Sequence, residues 1–61
     1  MPDSSWASKA EWYREKAEEN RSMARHLRHE GARAAFLKLA EEYEALARGA
    51  LELALREVHK P

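Results

Sequence analysis

ARAAFLKLAEEYEALARGALELALREV, residues 32–58, decides how this chain folds. Read at helical spacing, apolar or small residues fall at Ala32, Phe36, Leu39, Tyr43, Leu46, Ala50 and Leu53. The steps alternate four and three, which is the seam of one helix packed on another. A second seam runs beside it through Leu37, Ala40, Glu44, Ala47, Leu51, Ala54 and Val58, with Leu55 widening it. One antiparallel partner needs one seam, so two adjacent seams predict contact with more than one other helix. Gly49 interrupts the stretch at a cost of ~1 kcal/mol relative to alanine. Either it permits close approach of a neighbour, or it ends the helix at Arg48; the continuous helix is the reading adopted.

Immediately upstream stands RHLRHEG, residues 25–31. Its glycine, Gly31, suits the residue just past a helix end, where a left-handed backbone is needed. Ahead of it the same alternation of four and three links Trp6, Ala10, Tyr13, Ala17, Asn20, Ala24 and Leu27. Ser8 and Glu11 fit a capping box at the start of that helix, with Asp3, Ser4 and Ser5 as alternative caps one or two turns earlier. The expected fold is all-α: one domain over residues 1–61, an antiparallel helical hairpin of about residues 4–29 and 32–58. With the turn near residue 30, residues i and roughly 60 − i should face each other. Trp6 would meet Leu53 or Val58, and Tyr13 would meet Leu46 and Ala50. A lone hairpin of this size has little interior, so a second copy is expected to complete a four-helix bundle with twofold symmetry.

Composition agrees with helices and narrows the function. Eleven Lys and Arg balance eleven Asp and Glu, for a net charge of zero, so no global field steers the chain toward nucleic acid or an anionic membrane. There is no cysteine, hence no disulfide frame and no thiolate metal site, which suits a reducing cytosol. MPDSSWASKAEW lacks a basic start followed by an apolar core, so a signal peptide is not expected. No run approaches the ~18 apolar residues of a membrane span.

The run from Trp12 to Ala47 resembles a group of small alphaproteobacterial helical-hairpin proteins that begin Tyr-Tyr-Arg-x-x-Ala-Glu-Glu. Their second helix reads Arg-Ala-x-x-Leu-x-Leu-Ala-x-x-Tyr-x-x-Leu-Ala. The matching positions are Tyr13, Arg14, Ala17, Glu18 and Glu19, then Arg33, Ala34, Leu37, Leu39, Ala40, Tyr43, Leu46 and Ala47. Trp12 replaces the first tyrosine, and Arg-His-Glu-Gly at 28–31 replaces a Thr-Asp-Pro-Glu turn. The resemblance implies the hairpin fold and a bacterial cytoplasmic setting. It carries over no catalytic residue.

Chemistry is sparse. No nucleophile–base–orienter set and no phosphate-binding glycine loop is present, so no enzyme activity and no cofactor are expected. His26 and His29 could reach one metal ion, but a site needs three or four ligands, Glu30 is the only nearby addition, and both histidines fall off the seam, so surface histidines are the expectation. Arg21, Arg25, Arg28 and Arg33 could gather anions at the hairpin tip, beside the free amides that open the second helix. The plainer reading is that Arg and His answer the dipole of the first helix. Asn20, Tyr13 and Tyr43 are polar groups on seams; a buried Asn fixes register, with a tyrosine hydroxyl as its partner. Glu44 is expected to pair with Arg48 or with an arginine of a partner. The expected interface comprises Trp12, Leu37, Ala40, Ala47, Leu51, Ala54, Leu55 and Val58. The expected partner is a second copy or another protein, with phosphate or nucleic acid at the tip as the alternative and no membrane contact. The function expected is that of an interaction or oligomerisation module.

Overall fold

The computed structural model describes residues 5–58 as two antiparallel helices, α1 (Trp6–His26) and α2 (Glu30–Val58). Helix α1 starts earlier than the Ser8 cap would allow. The Ser5 hydroxyl caps it, accepting from the Ser8 amide at 3.2 Å. The extra turn brings Trp6 onto the seam and sets the Lys9 ammonium 4.5 Å above its ring, a contact between neighbours three apart on a helix. Asp3 and Ser4, the other candidate caps, lie outside the described residues.

The turn is built differently from the expected glycine stop. Helix α1 ends at His26, and Leu27 leaves it in an extended conformation, φ −94° and ψ 137°. No described residue has a positive φ, so no left-handed glycine is involved. Gly31 instead lies in the first turn of α2. There the His29 ring acts as the cap: its Nδ1 accepts from the Ala32 amide at 3.1 Å. A Cβ on Gly31 would stand 3.1 Å from the His29 ring, so the glycine makes room for this cap. Arg33 closes the turn by donating through Nε and Nη2 to the Leu27 carbonyl, at 3.3 and 2.9 Å. Helix α2 runs through Gly49 without a break.

The α1 seam is the one read from the sequence. Ala10, Ala17 and Ala24 are buried, and Trp6, Tyr13, Asn20 and Leu27 are half-buried between them. The α2 face that meets it is not. It takes Phe36, Tyr43 and Ala50 from the first seam and Ala40, Ala47 and Ala54 from the second. Leu39 and Leu46, expected inside, are 42% and 49% exposed. Alanine is the only residue type that the described core buries. The α1 row offers methyl groups at Ala10, Ala17 and Ala24, and the positions buried on α2, Ala40, Ala47 and Ala50, are alanines too, with the rings of Phe36 and Tyr43 half-buried between them. Leucines at 39 and 46 rotate out to the flank.

Asn20 is also placed differently. Its Nδ2 donates to the Lys16 carbonyl of its own helix at 2.7 Å, the local back-bond that short polar side chains make. It does not reach a tyrosine.

Register follows from the rings. Tyr13 packs against Tyr43, centroids 6.2 Å apart, so residues i and roughly 56 − i share a level along the axis. The offset from the expected register arises because the turn spans residues 27–29, earlier than the expected centre. The molecule is a slab of 51 × 21 × 11 Å, one helix thick. It therefore has two broad faces, each made from one flank of each helix.

Candidate protein interface

Helical rotation assigns residues to the two faces. Trp12 and Arg21 are nine residues apart on α1, a rotation of about 180°, so they lie on opposite flanks. Arg21 ion-pairs with Glu44 of α2, which fixes one broad face. Leu37, Glu44, Leu51 and Val58 recur every seven residues and fall in one row on that side. On the other side, Trp12 packs edge-on against both Tyr13 and Tyr43, centroids at 5.5 and 6.1 Å. Leu39 and Leu46 lie about 140° and 160° around α2 from Glu44, so they join Trp12. Leu53 continues their row seven residues on.

The two faces differ in chemistry. The Arg21 face is ionic along α1. Arg21 bonds Glu18 at 2.9 Å as well as Glu44. The Glu44 hydrogen bond is the main cause holding the guanidinium above its ordinary basic range; partial desolvation opposes it, and the charges of Glu44 and Glu18 add to it. Surface grooves on this side are lined by Glu11, Arg14, Glu18 and Glu44 and, further along, by Ala7, Ala47 and Leu51. The Trp12 face instead carries Trp12, Met23, Leu39 and Leu46, which are 39–54% exposed, around the tyrosine pair. Its charges are Lys9 and Lys16, one heptad apart on α1, the second reaching Glu19 at 3.3 Å and sitting 5.3 Å over the Trp12 ring, and Glu42 on the far edge.

The residues expected to form one interface are therefore divided. Ala40 and Ala47 are 1% and 5% exposed and are covered by α1, so they are not free to meet a partner, and Ala54 is half-buried on the same seam. Leu37, Leu51, Leu55 and Val58 are exposed on the Arg21 side, away from Trp12. Leu39, Leu46 and Met23 were missed as surface residues. The signal that finds them is the alanine row of α1, which selects alanines rather than leucines from α2.

The tip residues are divided in the same way. Of the four arginines, Arg21 is held by carboxylates and Arg33 by the Leu27 carbonyl, while Arg25 and Arg28 are exposed. Glu44 pairs with Arg21 of its own chain rather than with Arg48. His26 donates through Nδ1 to the Ser22 carbonyl at 2.7 Å, and His29 uses Nδ1 as a cap, so each ring is turned to its own backbone. Among the described residues, no three His, Cys, Asp or Glu are grouped to hold a metal, and no helix is long and apolar enough to cross a membrane.

No family model, no curated protein and no solved structure matches this chain.

Proposed function

We propose that this chain is a non-enzymatic interaction module whose first partner is a second copy of itself, the two hairpins completing a four-helix bundle. One observation carries the reading. The hairpin buries only alanines, while eight large apolar side chains on its described surface stay exposed. Each buried methyl-sized group contributes only ~0.8 kcal/mol, so the alanine core alone offers little to offset the entropy of ordering two long helices. The leucines, Trp12 and Met23 hold the remaining apolar area, and they release it only against another surface. Membership of the alphaproteobacterial hairpin group belongs to the same proposal, on the shared pattern of residues 12–47.

The test is mass in solution. Sedimentation equilibrium at micromolar concentration should give twice the chain mass, with a melting temperature that rises with concentration, as a folding-coupled dimer requires. A chain that stays monomeric at full helicity overturns the proposal.

A further inference from the structure

We propose that the second copy docks on the Trp12 face, with the twofold axis parallel to the helices, so that α1 of each copy lies over α2 of the other and both tips point the same way. This rests on the self-association reading and says which surface and which arrangement realise it. The Trp12 face is the broad face without an ion pair across the helices: burying the Arg21 face, although Leu37, Leu51 and Leu55 are exposed there, would desolvate Arg14, Glu18, Arg21 and Glu44 together. Its area is sufficient. A footprint of 51 × 21 Å is about 1,000 Å², against roughly 800 Å² per partner in a stable interface.

The arrangement follows from what lies at each level. In this stacking Trp12 comes level with residues 42–49 of the partner's α2. Glu42, Ala45, Leu46 and Gly49 are spaced as the four corners of a hole that accepts one knob, with Glu42, Leu46 and Gly49 on the Trp12 side of α2 and Ala45 on its outer edge. Two corners are small, and Gly49 is the telling one. It sits in mid-helix at a cost of ~1 kcal/mol relative to alanine, yet a Cβ there would meet nothing within 4 Å in the hairpin. The hairpin has no use for that glycine; an indole seated from the second copy does. Charge agrees. Lys16 and Glu42 edge the same face at nearly the same level, so this stacking sets Lys16 of each copy against Glu42 of the other. Stacking α1 on α1 at that level would set lysine against lysine.

The experiment compares variants of the full chain by sedimentation equilibrium, with helicity followed by circular dichroism. Gly49→Leu should keep the helices and lose the dimer, because the added side chain has room in the hairpin and fills the hole. Lys16→Glu alone and Glu42→Lys alone should each weaken self-association by roughly tenfold or more, and mixing the two should restore it through a heterodimer with both pairs correct. Arg48→Glu and Glu41→Lys carry the same net charges on the Arg21 side; their homodimers should form as the wild type does. A wild-type dimer that survives Gly49→Leu and Lys16→Glu but is broken by Leu51→Glu overturns the docking face and leaves self-association standing. A monomeric wild type overturns both.

Discussion

The two broad faces of the hairpin share the same helices yet are built on opposite chemistry. One is joined across its helices by an ion pair, Arg21 to Glu44, with Glu18 reinforcing it. The other is joined by rings, Trp12, Tyr13 and Tyr43. On the ionic face Arg21, Glu18 and Glu44 are paired within one chain. On the ring face Trp12, Met23, Leu39 and Leu46 keep much of their area in solvent. Both faces leave leucines exposed, Leu37, Leu51 and Leu55 on the ionic side and Leu39 and Leu46 on the ring side, so the faces differ in the charge that must be desolvated to cover them.

Substitutions that act on one face alone should separate these roles. The largest effect belongs to Leu46→Glu, which places a charge in the centre of the ring face. It should cost more than ~2 kcal/mol of association, as an interface anchor does, seen as a shift of the monomer–dimer equilibrium; Leu51→Glu on the other face should leave that equilibrium unchanged. Next is Ala40→Leu. Overpacking the alanine seam should cost ~1–3 kcal/mol of stability and spread the helices beneath both faces, measured by thermal unfolding. A cost below that of an ordinary surface change would show that the seam is not closely packed. Smaller, and neutral to both faces, is His29→Asp. A carboxylate is a better cap than imidazole and favours a helix start, so stability should rise by ~1 kcal/mol, with the dimer unaltered. The smallest belongs to Glu44→Gln. Its partner Arg21 is solvent-screened, so the melting temperature should fall slightly in low salt and not at all in high salt. A large drop that persists in high salt would mean the ionic face is more than a surface pairing.

Much of this was legible in the residues. The alternation of four and three in Trp6, Ala10, Tyr13, Ala17, Asn20, Ala24 and Leu27 specified both α1 and its buried side, because the positions off that row are polar apart from Ala7, Trp12 and Met23. The break near residues 25–31 specified the hairpin. Helix α2 was readable as a helix but not as a face: apolar or small residues occupy four parallel rows, and any adjacent two could pack. The turn misled for a local reason. Gly31 satisfies the rule for a helix end, yet a histidine ring can cap a helix start, and the glycine then serves to clear space for it.

Composition and periodicity thus determined by themselves that this protein is two antiparallel helices with more apolar surface than one pairing can cover. Only the tertiary structure decided which part of that surface is covered. Facing rows compete for the same side of α1, and opposite its alanines Ala40 and Ala47 are buried while Leu39 and Leu46 are turned outward beside Trp12. That choice depends on how the two helices are rotated against each other, which neither helix specifies alone.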